Sequence, residues 1–432
     1  MSMGATARFA GFAVDAVPRD AARRILRLSL LDWAACAIGG TDEPVARILR
    51  DMAVEDGGRA EASVVGAVGR LPARAAALVN GAASHALDFD DTHFAHIGHP
   101  SVAVIPAALA VAEKTGADDA AFADAALVGA EVSVRLGVWL GRGHYQTGFH
   151  QTATAGLFGA TAAAGRLLGL TAGQMAHALG LAATRAAGLK SQFGTMGKPY
   201  HAGMAAAAGV ECAALAARGF VSRPDGIECA QGFGTTHAGG ADEAGFDGMG
   251  EAWLFETVSH KFHACCHGTH AVLEALAGIA DAVVPGEVSA VEIAVHPRWL
   301  SVCDLPEPAT GLEAKFSFRL TAAMVLAGLD TGLSGTFTDA ATRDPALVAL
   351  RDRVRVAGDD GLAETAARVR VTCADRVIEA THDIAAPLAA DVLDARLRAK
   401  AAGLLGAERA GALAAVTVEA PQVAGLTALL RG

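Results

Sequence analysis

The sequence predicts a mainly α-helical protein, in which a large all-α helical domain carries a smaller α+β domain inserted before its C-terminal helices. Three observations lead to this prediction. Of the 432 residues, 52% are hydrophobic but only 5% are aromatic, so small side chains dominate and helices can pack closely. Up to about residue 254, apolar residues recur at helical spacing, whereas after about residue 285 two stretches alternate apolar and polar residues. At roughly 100–200 residues per domain, the length suits two or three domains, or one large domain with an attachment.

The helical pattern begins at Pro18, which lies near the first turn of a predicted helix. This first run, PRDAARRILRLSLLDWAACAIGG, places Ile25, Leu28 and Leu31 on one face and ends at two glycines. Six further runs of helix length each end at glycine or at a turn that contains glycine: LPARAAALVNGAASHAL, HPSVAVIPAALAVAEKTG, DAAFADAALVGAEVSVRLG, TATAGLFGATAAAGRLLG, TAGQMAHALGLAATRAAG and HAGMAAAAGVECAALAARGF. They share no fixed repeat period, which argues against a solenoid.

The late part of the chain predicts strands. VSAVEIAVHP alternates with period two, and ARVRVTCADRVIEATH predicts a hairpin with Asp375-Arg376 as its turn. The run KFSFRLTAAMVLAG predicts a helix between these strands, and DVLDARLRAKAAGLLG and QVAGLTALLRG are helical again. We therefore predict an all-helical domain over residues 1–260, completed by 392–432, and a smaller α+β domain over 261–391.

Composition and charge argue against several classes of protein. Charged residues interrupt the apolar runs before the roughly 18–20 residues that a membrane span needs, and the N-terminal stretch lacks the apolar core of a signal peptide. The seven cysteines are scattered and odd in number, which favours a reducing, cytoplasmic location over a disulfide framework. A net charge of −11, with no run rich in lysine and arginine, disfavours nucleic acid as a partner.

Histidines mark a candidate site. Eleven of the fifteen fall in four short stretches: His85, His93, His96 and His99; His144 and His150; His201; and His260, His263, His267 and His270. The first stretch surrounds DFDDTHFAHIGH, in which three aspartates accompany the histidines, and the later ones lie beside Lys198 and Lys261. Such clusters of titratable groups indicate a catalytic or binding site more often than isolated histidines do.

A metal site is one interpretation of these clusters. His93, His96 and His99 are spaced by three, and the segment from His263 to His270 contains further potential zinc ligands. However, Cys265 and Cys266 are adjacent rather than spaced as C-x₂-C, and no second cysteine pair accompanies them. We therefore expect no metal.

Acid–base chemistry by side chains alone fits the pattern better. Aspartate beside histidine supplies a base and a group that orients it. Lys198 follows the glycine-rich turn FGTMGKP, and Lys261 is flanked by histidines, so two cations are available for an anionic substrate such as a di- or tricarboxylate. The sequence contains no G-x-G-x-x-G after a strand, no G-x-x-x-x-G-K-[ST] and no G-x-S-x-G motif, so we expect no cofactor.

Several blocks together resemble the MmgE/PrpD family. These are HALDFDDTH…HPS, GFHQTATAG, GTMGKPYHAGMAAAAGVECAALAARGF, HKFHACCHGTHAVLEAL and EAKFSFRLTAAMVLAG, which occur in the order of the family. The resemblance implies a large helical domain built from both chain ends, a smaller α+β domain, an active site between them, and a metal-free homodimer. Family members include 2-methylcitrate dehydratases, cis-aconitate decarboxylases and iminodisuccinate epimerases, which move a proton next to a carboxylate of a small polycarboxylate.

The resemblance also assigns site residues in this sequence. The predicted catalytic residues are Asp88, His99, His150, Lys198 and Lys261. The predicted substrate-binding residues are Thr92, Asp91, His201, Cys266 and His267. We expect Asp88 to orient an imidazole, His99 or His150 to exchange the proton, and both lysines to hold carboxylates. Asp90 is expected only to shape the loop, and the roles of His93, His96 and His263 stay open.

Three positions depart from the family pattern. Ala264 stands where members often have proline, while Cys266 and Leu320 stand where the decarboxylases resemble one another in having histidine and tyrosine. These departures weaken the decarboxylase interpretation, so a dehydratase-type lyase is favoured, with an epimerase next. The competing class is a metal-dependent or non-catalytic binding protein, which metal analysis of the purified protein would distinguish.

Overall fold

The structure, a computed structural model, describes residues 3–431 and divides into two compact units. The first contains the chain up to His260 and again from Leu397 onwards, and the second comprises Lys261–Arg396. The sequence prediction places the second boundary at residue 391 instead. The mainly α-helical class is confirmed, with the long strands confined to the second unit.

The first unit is built from helices on both sides of the insertion. They are α1 (Ala5–Asp15), α2 (Asp20–Gly39), α3 (Pro44–Asp56), α4 (Ala73–His85), α5 (Ser101–Thr115), α6 (Asp119–Thr147), α7 (Gln151–Leu167), α8 (Ala172–Arg185), α9 (Gly197–Ala216) and the short α10 (Phe233–Thr236). Helices α1 and α3 were not among the predicted runs. The unit also contains a two-stranded antiparallel sheet, β1 (Ala62–Ser63) with β2 (Arg70–Leu71), so the prediction of a purely helical domain was wrong in this detail.

One hydrophobic core cluster of the first unit lies among α3, α4, α5, α7 and α9. Its members are mostly alanine and valine, and nearly all are fully buried. Small side chains bring the helix axes close together. A Cβ added to Gly159 of α7 would lie 2.5 Å from the carbonyl oxygen of Gly129 of α6, so these helices pack through glycine.

Helices α4 and α9 approach each other in the same way. A Cβ on Gly81 would lie 2.8 Å from Cα of Gly203, and a Cβ on Gly203 would overlap the carbonyl oxygen of Leu78. This contact matters for the site because α4 carries His85 and α9 carries Lys198 and His201.

We predict that Gly203→Ala destabilises the protein by about 1–3 kcal/mol, since the added methyl group meets backbone rather than a side chain that could move. Urea unfolding at neutral pH measures the change. Gly11→Ala in α1 is the matched control, because a Cβ there meets nothing within 4 Å. This control is expected to be neutral or stabilising by about 0.5–1 kcal/mol, and equal stability of the two variants would contradict the packing argument.

The second unit contains a four-stranded sheet with helices packed against it. Its helices are α11 (His267–Ala277), α12 (Leu300–Cys303), α13 (Gly311–Ala314), α14 (Phe318–Leu326) and α15 (Pro345–Arg351), and its strands are β3 (Val288–Val295), β4 (Val354–Gly358), β5 (Ala366–Cys373) and β6 (Arg376–Asp383). The strand order is β4-β3-β5-β6, with β3 and β4 parallel and the other pairs antiparallel. The predicted period-two stretches are therefore confirmed as strands.

The predicted hairpin turn was wrong by one residue. Cys373 pairs with Arg376, so the two-residue turn is Ala374-Asp375 rather than Asp375-Arg376. Ala374 has φ +54, a left-handed conformation that alanine adopts rarely. Its backbone N–H donates to the carbonyl oxygen of Glu287, which ties the turn to the start of β3.

The C-terminal segment contains α16 (Ala390–Leu405), α17 (Ala407–Ala414) and α18 (Val423–Arg431), with a π-helical turn at Ala415–Glu419. No helix within residues 3–431 is both long enough and apolar enough to cross a membrane.

Candidate active site

The loop between α4 and α5 carries most of the predicted residues. Backbone hydrogen bonds in both directions join Thr92 to Ser259, and the Nε2 atom of His93 lies 2.8 Å from the carbonyl oxygen of Leu254. His93 therefore tethers the loop to a later segment of the same unit. Asp88 has φ +50, a conformation that aspartate tolerates better than most residues.

A buried carboxylate connects two histidines at the centre of this loop. Oδ1 of Asp90 lies 2.9 Å from Nδ1 of His85, and Oδ2 lies 2.7 Å from Nδ1 of His99. All three residues are at least nine-tenths buried. Because an ionised carboxylate only accepts hydrogen bonds, both imidazoles donate their Nδ1–H to it.

Burial alone raises the pKa of Asp90, but its electrostatic attraction to His85 and His99 and the hydrogen bonds from both rings outweigh burial and hold that pKa well below its usual range. Asp90 is therefore ionised at neutral pH. The expectation that Asp90 only shapes the loop was wrong, because it is the group that fixes the tautomer and orientation of His99.

Asp88 contacts both a lysine and an imidazole. Its Oδ2 atom lies 2.6 Å from Nζ of Lys198, while its Oδ1 atom lies 3.7 Å from Nε2 of His99. That Asp88 orients an imidazole stays a prediction, while Asp90 holds the other nitrogen of His99 at hydrogen-bond distance. The structure brings Asp88, His99 and Lys198 together, with the Nε2 edge of the His99 ring facing the ion pair.

His150 and His201 form a second pair of imidazoles in the same unit. Their Nδ1 atoms are 3.0 Å apart, and the His150 ring lies 6.1 Å from that of His85. Burial, followed by the charges of His85 and Lys198, lowers the pKa of His150 well below its ordinary value, so the ring is neutral at neutral pH. Burial and His85 also lower the pKa of His201.

An aromatic side chain that the sequence analysis did not single out covers this group. The ring of Phe193 meets the edge of His150 at a centroid distance of 4.9 Å, and Nζ of Lys198 lies 5.4 Å from the Phe193 centroid. Phe193 remains 38% exposed. It therefore forms an apolar wall beside the cation.

Other predicted residues of the loop have structural contacts. Asp91 accepts hydrogen bonds from the hydroxyl and backbone N–H of Ser101, the first residue of α5. Thr92 contributes the backbone bridge to Ser259. His96 is fully buried beside Gly98 and Gly137, and neither of its ring nitrogens has a hydrogen-bond partner among residues 3–431. Substrate binding by Asp91 and Thr92 stays a prediction.

The remaining predicted residues belong to the second unit. Lys261 is 2% exposed, which is rare for lysine. Cys266 precedes α11, where its N–H donates to the carbonyl oxygen of Lys315, and His267 is the first residue of that helix. His263 lies between Thr331 and Glu274, with its Nδ1 and Nε2 atoms at 2.6 and 3.2 Å. The catalytic role of Lys261 and substrate binding by Cys266 and His267 stay predictions.

Four of these groups could also surround a cation. His85, Asp88, Asp90 and His99 each offer one ligand atom, and these atoms lie within 4.8 Å of one another. This set differs from the one spaced by three, because it contains His99 but neither His93 nor His96. Lys198 already places a positive charge against Asp88, which disfavours a second cation there.

His85 and Asp90 are the two site residues that sequence reasoning missed. His85 was recognised as part of the cluster, but its separation of five residues from Asp90 suggested no pairing. Helix α4 ends at His85, and the chain then turns back so that Asp90 reaches the His85 ring. The predicted end of this helix is the sequence signal that could have suggested the pair.

Comparison with known proteins matches most of the chain to one family. The sequence model of the MmgE/PrpD N-terminal domain matches residues 6–244, and that of the MmgE/PrpD C-terminal domain matches residues 263–419. Among curated relatives, cis-aconitate decarboxylase of Homo sapiens is 31% identical over 281 residues, and that of Aspergillus terreus is 32% identical over 281 residues. Each alignment covers 61% of this chain and 57% of the relative, so the chain spans little more than half the length of these proteins.

Proposed function

The chain belongs to the MmgE/PrpD family, and from this premise we propose that it is a cofactor-independent lyase acting on a small polycarboxylate. The reaction is proton abstraction from a carbon next to a carboxylate, followed by loss of a β-hydroxyl group, as in 2-methylcitrate dehydratases. The observation that carries the proposal is the Asp90–His99 pair facing the Asp88–Lys198 ion pair.

His99 is the proposed general base. Its Nδ1–H is held by ionised Asp90, so Nε2 has a lone pair available for a substrate proton. Asp90 also stabilises the imidazolium that forms after proton transfer, as a buried carboxylate does in other acid–base pairs.

Lys198 is the proposed electrophilic group. A substrate carboxylate can replace Asp88 as the partner of the ammonium group, which then stabilises the negative charge that develops on that carboxylate as the carbon loses its proton. His150 is neutral because its pKa is lowered, so the proton for the leaving hydroxyl comes from the His99 imidazolium formed in the first step. As the C–O bond breaks, the electron pair left on carbon forms the C=C bond, the hydroxyl takes this proton and leaves as water, and His99 returns to its neutral form.

Two other outcomes share the first step. Return of the proton to the opposite face gives an epimer, and loss of a carboxylate as carbon dioxide gives decarboxylation. The names of the curated relatives favour decarboxylation as the second candidate. Leu320, which is fully buried and has no hydroxyl group, argues against it at the position where the resemblance leads us to expect tyrosine.

Proton NMR in deuterium oxide tests the proposal. Citrate-, aconitate- and aspartate-derived acids are incubated with the protein, and we expect deuterium to enter one acid next to a carboxylate, with alkene signals that report loss of water. Lys198→Met is expected to abolish this exchange. Lys190→Met is the matched control from the same loop region, because the Lys190 ammonium lies 3.8 Å from the centroid of the Tyr145 ring rather than at Asp88.

Each result has a defined consequence. Inversion without an alkene would identify an epimerase, and release of carbon dioxide would identify a decarboxylase. Exchange that persists unchanged in Lys198→Met, or stoichiometric zinc or iron required for activity, would overturn the proposed mechanism.

A further inference from the structure

A buried ion pair lies in the first unit beneath the candidate site. Nζ of Lys400, in α16, is 2.5 Å from Oδ1 of Asp32, in α2, and the two side chains are only 3% and 1% exposed. Desolvation of both charges offsets much of their attraction, so a buried pair is weak grounds for assuming a purely stabilising role. The other contacts of Lys400 indicate what the pair does.

Lys400 also binds the loop that carries the candidate catalytic groups. Its ammonium donates to the carbonyl oxygen of Phe89 at 2.5 Å and lies 4.0 Å from the centroid of the Phe89 ring. Phe89 is the residue between Asp88 and Asp90, and it is 1% exposed. One cation therefore holds both the backbone and the side chain of the residue that separates the two carboxylates.

This anchor acts at the peptide that joins Phe89 to Asp90. On the other side of Phe89, Asp88 is in a left-handed conformation, which persists only where surrounding contacts hold it. Asp88 contacts Lys198, and Asp90 contacts His85 and His99. Holding Phe89 therefore restrains the two flanking residues whose carboxylates make these contacts.

The charges of Asp32 and Lys400 affect the pKa values of neighbouring groups, including Asp91 of the loop. Burial first, and then the negative charge of Asp32, raise the pKa of Asp91 to about 7. Burial and the positive charge of Lys400 lower the pKa of His260 to about 3, and Cys36 faces the same pair.

We propose that Lys400 and Asp32 are a positioning pair, which holds the Phe89 peptide and thereby sets Asp90 against His99 and Asp88 against Lys198. The catalytic part of this statement rests on the proposed function. Neither residue contacts a reacting group, so both act through the loop.

The test removes both charges together, because removal of one leaves the other buried and unpaired. The variant Asp32→Leu/Lys400→Met keeps side chains of similar size and abolishes the donor to Phe89. In protein labelled with ¹⁵N histidine, we expect the Nδ1–H resonances of His85 and His99 to shift or broaden, and we expect kcat to fall about 10–100-fold with a smaller change in KM. The acidic limb of the pH profile is expected to shift as well.

Leu413→Ala, in α17, provides a control for stability alone. Leu413 is fully buried in the same C-terminal segment, so its truncation lowers stability without removing a contact to the loop. At a temperature where both proteins are folded, this control is expected to keep the wild-type resonances and pH profile. If the double variant does not fold, Asp32→Asn weakens the hold on the ammonium without adding a cavity and must shift the same resonances.

Wild-type resonances and a wild-type pH profile in the folded double variant would overturn the positioning role. Failure of the proposed function is a separate result, since it appears as the absence of exchange in the wild-type protein. The resonances of the free protein are measured without substrate, so they decide the positioning role in either case.

Discussion

His99→Asn is expected to lower kcat by about 10²–10⁴-fold while leaving the melting temperature close to that of the wild-type protein. The asparagine side-chain amide can occupy the place of Nδ1–H and donate to Asp90, so the buried carboxylate keeps its second partner. What the variant lacks is Nε2, the atom that faces Asp88 and Lys198. The expected loss is therefore that of a general base rather than of a hydrogen bond needed for folding.

His85→Asn is the matched control for this prediction. This variant replaces the histidine at the other carboxylate oxygen of Asp90 by asparagine and leaves His99 intact. We expect kcat to fall by less than about tenfold, because His85 acts on the reaction only through Asp90. The rate of deuterium incorporation into the substrate is measured for both variants. Incorporation at the wild-type rate in His99→Asn would show that His99 is not the general base.

The protein is also expected to lose several kcal/mol of unfolding free energy when the pH falls from 7 to 5. Among residues 3–431, six buried histidines have strongly lowered pKa values, mainly because burial disfavours the charged ring: His93, His96, His144, His150, His260 and His270. The pKa is about 4 for His93 and about 3 for His260.

The sign follows from which state binds protons. The unfolded chain takes up a proton at each histidine near pH 6.5, while the folded protein does not until the pH reaches the lowered value. The stability contributed by each neutral ring is therefore present above pH 6.5 and is lost as the pH falls. For pKa values of about 4 and about 3, the loss by pH 5 is about 2 kcal/mol per histidine.

Asp91 has the opposite effect in this range. Its folded pKa of about 7 lies above the ordinary value, so its contribution is present at low pH and is lost as the pH rises. Between pH 5 and 7 this amounts to about 2 kcal/mol, enough to offset roughly one histidine. The six histidines therefore outweigh it, and the net direction is destabilisation by acid.

Urea unfolding at pH 7 and pH 5 measures the effect. His93→Gln, which keeps a donor for the carbonyl oxygen of Leu254, is expected to reduce the acid sensitivity by about 2 kcal/mol. Asp91→Asn should increase the sensitivity by a similar amount, because it removes the opposing group. Equal stability of the wild-type protein at both pH values would show that these rings are protonated in the folded state.

The fold could be predicted because its signals are local. Helical spacing identifies α2, α4, α5 and α9, with glycine near the ends of α2, α5 and α9, and period-two alternation identifies β3 and β5. The hairpin turn was misplaced because alanine gives no sign of the left-handed conformation that it adopts at Ala374. The turn conformation follows from the pairing of β5 with β6. A short stretch of sequence does not show that pairing.

The sequence predicted which residues lie at the site better than it predicted which of them contact each other. Asp88, His99 and Lys198 were expected together and are together, but the partner of His99 is Asp90. Two aspartates separated by one residue in a non-helical loop can exchange roles if one peptide rotates. The choice between them depends on long-range contacts, among which Lys400 was not recognised, because one lysine in an Ala-rich helix resembles an ordinary solvated charge.

The first unit is built from two separate stretches of the sequence, so its parts are synthesised at different times. During translation, the segment containing Asp88, Asp90 and His99 leaves the ribosome about 300 residues before Lys400 is made, since Lys400 follows Phe89 by 311 positions. At about 5–20 residues per second, the nascent chain spends tens of seconds with this loop unanchored. We therefore expect the inserted unit to be synthesised, and free to fold, before the catalytic loop reaches its final geometry.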